Sequence, residues 1–217
     1  MVTEAPRWGS LSKVHQRPAP TPGVGFLRTL GEAMRLLTAV NTILRKLGEI
    51  DVPSLDEAYP TLAIVLPALD EARTTVLKEG WWFNTLHEWD AAPTPEGFVE
   101  LPENTLMFYP EDPQYVFEGQ AVVMAANHEP YIGKAVRGKL VIDKEFERLP
   151  YTAAMAVTYT AAVETYTADI GPDDTSQKLD STRVECLMTL SAEHTRSRKL
   201  NSRHKRSFSK WKRSLYT

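Results

Sequence analysis

The 217-residue sequence predicts an α+β fold. About four helices form a bundle, a small antiparallel β-sheet is inserted between the second and third of them, and extended N- and C-terminal arms lie outside. Three observations predict it. Apolar residues recur at intervals of three and four up to Gly80 and again after Pro150; between these points they come in short runs broken by Pro, Gly and Asn; and both ends depart from either pattern. Residues 26–84 and 150–195 are thereby assigned to the bundle, 85–149 to the insert, 1–25 to an N-terminal arm and 196–217 to a basic C-terminal arm.

Each element has a local reason. Met1–Gly25 holds Pro6, Pro18, Pro20 and Pro22 with few apolar residues, so it should order only against a partner, with Trp8 as its anchor. Thr29-x-x-Glu32 reads as a capping box that opens a first helix, with Leu30, Met34, Leu37, Leu44 and Leu47 on one face, Val40 and Ile43 beside them, and Gly48 as its left-handed stop. A second helix should run from about Pro60 to Glu79 with Leu62, Leu66, Leu69, Ala72 and Val76 as its stripe and a kink near Pro67. Short strands are predicted at 98–101, 106–109, 115–117, 121–124 and 139–142. Tyr151–Asp169, rich in alanine, is a helix suited to a central place with neighbours on two sides. Gly171-Pro172 breaks the chain, Asp174 with Gln177 restarts it, and Leu179, Cys186, Leu187 and Leu190 belong to the fourth helix.

Between the second helix and the strands stands Gly80-Trp81-Trp82-Phe83-Asn84. Three consecutive rings bury enough apolar area to fasten a helical layer to a sheet, and Trp81, Trp82 and Phe83 are assigned that structural role.

Composition narrows the chemistry. The net charge is −3, yet the chain after Thr195 carries nine Lys or Arg and no Asp or Glu; taking that +9 away leaves the remainder at −12. An acidic body with a basic end selects nucleic acid, an acidic protein surface or a neighbouring copy as partner. Cys186 stands alone and forms no internal disulfide, which predicts synthesis in a reducing compartment. No apolar run fits a signal peptide or a membrane span, so no membrane partner is expected.

The five histidines offer no paired metal-ligand spacing, and there is no nucleophile elbow or phosphate loop, so no metal, cofactor or catalytic residue is assigned. Glu100, Glu103, Glu118 and Glu129 lie among aromatic residues of the insert, where a carboxylate-based polysaccharide or cell-wall hydrolase is the weaker alternative to a solvated sheet face. Three readings fit the basic end: a solvated tail, a DNA-binding tail, or an arm whose Leu200, Phe208, Trp211 and Leu215 enter a protein groove while Arg206 and Lys212 meet an acidic rim. The regular spacing of the apolar residues favours the arm.

Several motifs coincide in order. Ala39-Val40-Asn41-x-Ile43-Leu44-x-x-Leu47-Gly48-Glu49 is followed by Gly80-Trp81-Trp82-Phe83-Asn84, then Leu101-Pro102. Val136-Arg137-Gly138-x-Leu140-x-x-Asp143 and Leu149-Pro150 come next, before the alanine-rich helix. Over Leu37–Tyr166 the chain resembles the tail tubular protein A family of short-tailed bacteriophages. The resemblance implies a structural, non-enzymatic protein of the virion: a head-to-tail adaptor forming a dodecameric ring between portal and tail nozzle, with double-stranded DNA passing through its centre. Asn41 and Gly48 belong to its motifs as structural residues. The insert is shorter than the family leads one to expect between Asp143 and Leu149, which implies a reduced nozzle-facing surface. The arms lie outside the resemblance, and the docking of residues 200–216 on the portal or an adjacent copy is an expectation from their own pattern.

Overall fold

The computed structural model describes residues 34–55 and 59–202. The Thr29–Glu32 capping box, Leu30, Trp8 and the tail residues Arg206, Phe208, Trp211, Lys212 and Leu215 lie outside the described residues, as does the side chain of Leu200.

Among the described residues, two helices precede the insert. α1 spans Leu36–Leu47 and α2 Leu62–Lys78. α1 begins later than its apolar pattern, with Arg35 extended at the N-cap position and making no side-chain cap bond, so Met34 precedes the helix although it is buried in the same core. At the other end Gly48 adopts φ 82°, and the N–H groups of Glu49 and Gly48 return to the carbonyls of Leu44 and Arg45 at 2.9 and 3.4 Å, a Schellman closure. α2 buries Leu62, Val65, Leu69, Ala72 and Val76, an unbroken three-four alternation. Val65 therefore takes the place expected of Leu66, which is only half-buried. Pro67 lies on the exposed side and the helix continues through it as one element.

The insert holds six strands: β1 Thr85–Ala91, β2 Val99–Glu100, β3 Thr105–Pro110, β4 Tyr115–Glu118, β5 Ala121–Met124 and β6 Val136–Ile142. They form two antiparallel three-stranded sheets, ordered β1-β6-β3 and β2-β5-β4, rather than the single sheet expected. β1 escapes the sequence pattern because it is bulged: its register against β6 slips between Leu86 and Trp89, and Glu88 sits at φ 58°. One extra residue destroys the alternation by which strands are recognised. Val99, Phe108, Tyr115, Val122, Val136 and Leu140, drawn from both sheets, share one core.

A 3-10 turn at Phe146–Arg148 leads to α3, Tyr151–Asp169, whose bounds match the sequence expectation, and then to α4, Asp174–Ser202. α3 packs against α1, α2 and α4, the central position its alanines allow. Ala153, Ala154, Ala156, Ala161 and Ala162 are buried, and the buried hydroxyls of Thr158 and Thr165 donate back to the carbonyls of Ala154 and Ala161 at 2.7 and 2.8 Å. α4 is capped one residue before the expected Asp174–Gln177 pair. Ser176 N–H donates to Asp173 Oδ1 at 2.7 Å while Asp173 N–H donates to Ser176 Oγ at 2.9 Å. The Ser176 N–H first, then Tyr166 O–H and Thr175, hold the Asp173 carboxyl below the usual carboxylate range against the effect of burial. α4 runs past residue 195, where the basic arm was expected to begin, without a break to Ser202.

Two glycines separate conformational from steric cost. At Gly48 an added β-carbon meets nothing, so Gly48→Ala should cost only the left-handed backbone, about 1 kcal/mol. At Gly138 it would lie 2.5 Å from Tyr109 O and 2.6 Å from Phe108 Cζ, and Gly138→Ala should cost about 3 kcal/mol. Urea unfolding of both variants checks the order.

Candidate functional site

The motif residues prove to be joints. Asn41 on α1 accepts from Val52 N–H at 2.9 Å and donates to Val52 O at 3.0 Å, so one carboxamide ties the α1–α2 loop to the helix as a strand neighbour would. Arg45 and Asp51 pair at 2.9 Å across the same loop. On the insert Arg137 grips Asp90 of β1 through two bonds, Nε to Oδ1 at 2.7 Å and Nη2 to Oδ2 at 2.9 Å. Gly138, next in the motif, is where Phe108 and Tyr109 leave no room for a side chain.

The insert leaves the bundle through β1 and returns through β6, and these two strands are paired. At this neck Asn84, 1% exposed, uses its whole side chain. Its Oδ1 accepts from Trp81 N–H at 2.8 Å, and its Nδ2 donates to Leu77 O at the end of α2 and to Ile142 O at the end of β6, both at 3.0 Å. Its backbone carbonyl accepts from Ile142 N–H at 2.9 Å. Arg73 on α2 adds a second clasp to Asp143 Oδ2 at 3.0 Å, and Asp143 N–H donates to Asn104 O at 2.7 Å. Helix end, entering strand and leaving strand are thus fixed by one amide and one ion pair.

The three rings have a different task from the one expected. Trp81 is buried in the helical core, its Nε1–H donating to Val76 O at 2.6 Å, and Trp82 and Phe83 pack against that same core. None joins the core of the sheets. Trp82 and Phe83 stand edge to face at 5.1 Å, and His194 of α4 meets Trp81 edge-on at 5.6 Å and Trp82 at 6.3 Å. They fasten α4 to α2, whereas the polar groups fasten the insert. The reason is direction: Gly80, at φ 76°, turns the chain so that the rings face back along the bundle.

The cations of this region interact. Burial, then the charges of Arg198, Lys139 and His87, hold the His194 imidazole below its ordinary value of 6.5. Burial and then Arg198 likewise lower Lys139, which lies 5.1 Å over the Tyr109 ring, while Glu79 pulls it the other way.

Chemistry elsewhere is sparse. Glu100, Glu103, Glu118 and Glu129 are all exposed, with Glu118 Oε2 3.0 Å from His128 Nδ1. Burial pushes the Cys186 thiol up and Glu185 adds to the effect. Among the described residues no cluster of three or more His, Cys, Asp or Glu is placed to hold a metal, and no helix is long and apolar enough to cross a membrane. A shallow dent of about 170 Å3 lies beside Arg73 and Phe146.

Asn84→Ala removes one acceptor and two donated bonds from buried backbone, and should cost about 3 kcal/mol by the usual penalty for orphaned buried groups; Asn41→Ala, at a half-buried loop, should cost about 1 kcal/mol. Equilibrium unfolding distinguishes them. For His194 the folded pKa lies below the unfolded one, so the unfolded chain binds more protons in the window beneath 6.5. Stability is unaffected by this group above that value and declines as pH falls through it. His194→Phe, keeping the ring contacts, should flatten that decline in urea midpoints measured across the window.

Comparison with known proteins agrees with the motifs. The family model described as tail tubular protein matches residues 37–200, which takes in both pairs of helices and the insert between them. Tail tubular protein A of Klebsiella phage KP34 is 33% identical over 142 residues, covering 64% of this chain and 76% of the relative. The Asn41 loop, the Asn84 neck and the Arg137–Asp90 clasp all fall inside the matched span, and the chain belongs to the tail tubular protein family, structural components of a phage tail.

Proposed function

We propose that this chain is the head-to-tail adaptor of a short-tailed phage: copies of it form a ring, dodecameric by family resemblance, between portal and tail nozzle, and double-stranded DNA passes through the centre. The observation that carries the reading is the family match across residues 37–200. The construction of the fold supports it. Helices and sheets have two cores, with Leu106 of β3 packed against the helical one and Asn84 and Arg73 bracing the junction, so the insert is held against the bundle and can present its far side to the next component. Large apolar side chains stand in water on the single chain, among them Ile50 at 87%, Met188 at 66% and Tyr131 at 62% exposure, as expected of surfaces completed by assembly. Unlike patches meeting around an axis close a ring. The body's −12 would repel a DNA backbone and let it slide.

In this reading the protein performs no turnover chemistry, is made in the host cytoplasm and acts in the virion tail. Trp8 anchors the N-terminal arm. Residues 200–216 carry Leu200, Phe208, Trp211 and Leu215 into a groove of the portal or a neighbouring copy, with Arg206 and Lys212 on its rim.

Truncation after Lys199 should abolish joining to portal-bearing heads while leaving a folded body, scored by electron microscopy of the mixture. Unimpaired joining rejects the docking arm. Duplex DNA binding by the isolated tail, falling steeply with salt, would replace it with a nucleic-acid role.

A further inference from the structure

The dent beside Arg73 has a lining of two kinds. Its floor is apolar, built from Leu36 at the start of α1, Leu66 and Leu69 of α2, and Phe146 of the 3-10 turn. Its rim is acidic, since Asp70, Glu145 and Glu147 line it and all three are exposed. Among the described residues that line it Arg73 is the one cation, and it is already held by Asp70 at 2.8 Å and by Asp143 at 3.0 Å. Glu145 pairs with Arg148 at 3.1 Å, whereas Glu147 has no cation within 4.0 Å among the described residues. Asp70, Asp143, Glu145 and Glu147 against Arg73 and Arg148 leave two negative charges unbalanced around an apolar floor.

That lining selects what it can hold. At about 170 Å3 the dent falls below the roughly 300 Å3 at which small-molecule pockets begin, and suits a single large side chain. Leu36 and Leu66 are only half-buried, so the floor is accessible. An aromatic side chain flanked by cations would fill the floor and meet the rim at once. Residues 203–217 have that composition: six Lys or Arg, no Asp or Glu, and Trp211 set between Lys210 and Lys212-Arg213. Trp8, the aromatic residue of the N-terminal arm, has a single cation beside it, Arg7.

We infer that the dent between Leu66, Phe146 and Glu147 receives Trp211 from the tail of a second copy of this chain, with Lys210, Lys212 and Arg213 on its carboxylate rim. The second copy as source rests on the ring reading above, and the tail is thereby given to a neighbouring copy rather than to the portal. Placement favours it. The dent is made by α1, α2 and the 3-10 turn, while the tail follows α4, which packs along α3. A tail leaving one surface and entering a dent on another is a contact between unlike patches, the kind that repeats from copy to copy and closes a ring. Trp211 lies nine residues beyond Ser202, a reach of up to about 30 Å.

The test follows self-association of the full-length protein by sedimentation velocity, alone and with portal. Trp211→Ala should weaken it about thirtyfold, as for a buried aromatic anchor, and Glu147→Lys about fivefold, the upper end for an exposed ion pair. Adding Lys212→Glu to Glu147→Lys should restore most of that loss, which a merely structural role of Glu147 would not allow. Glu147 is exposed, so its replacement spares the core and tests the dent independently of the tail. To place the contact, a Glu147→Cys chain is mixed with a Lys212→Cys chain, both carrying Cys186→Ser, and treated with a short bismaleimide. A two-chain product requiring both cysteines is expected; linkage only within a chain carrying both substitutions overturns the second copy as source. Equal association of Trp211→Ala and the unaltered chain overturns the inference, and a loss confined to Trp8→Ala gives the dent to the N-terminal arm instead. If Trp211→Ala forms rings normally but fails to join portal, the tail belongs to the portal and the inference fails alone. If the unaltered chain self-associates under neither condition, the ring reading fails, and the second copy as source fails with it.

Discussion

The carboxamide of Asn84 is the constraint on which the rest of the structure depends. A side chain with two donors and an acceptor meets the end of α2, the turn before β1 and the end of β6, and so ties the helix to the two strands that the β1–β6 ladder already joins. Few residues can serve there. A carboxylate has no donor for the two carbonyls, and an apolar side chain leaves Trp81 N–H unpaired and takes a bond from the Leu77 and Ile142 carbonyls. Because the site is dry, each bond carries more than it would at the surface. The strands that begin and end the insert are therefore tied directly to the end of α2.

Around that joint, apolar and polar forces divide the work. Trp81, Trp82 and Phe83 consolidate the bundle and hold α4 through His194, while Arg73–Asp143 and the Asn84 amide hold the insert. The division has a mechanical consequence. The insert meets the bundle through Leu106 of β3, packed against the helical core, as well as through the directional bonds of the neck. A structural protein that must pass force between neighbours benefits from such a joint.

Charge is distributed on two scales. Along the chain an acidic body precedes a basic end; within the fold, the charge of Arg198 on α4 acts on both His194 and Lys139. Intrachain pairs elsewhere, such as Arg137 with Asp90, are complete in the single chain. The exposed Ile50, Tyr131 and Met188 suit a structural component that assembles with other parts of a virion.

Periodicity alone determined much of this protein. The limits of α3, the stripe of α2 apart from Val65 in place of Leu66, the Gly48 stop and the position of the insert between the second and third helices all follow from local pattern, because helix period, left-handed glycine and turn residues act over a few neighbours. The motif residues Asn41, Trp81 and Asp143 were legible as important, but their tasks were not. What Asn84 bonds, which core the rings enter and which cations meet at Lys139 depend on segments far apart in the chain, such as β6 and the last turns of α4. The bulge that hid β1 and the division into two sheets were likewise decided by tertiary structure, since strand pairing is a contest among distant partners that no local spacing records.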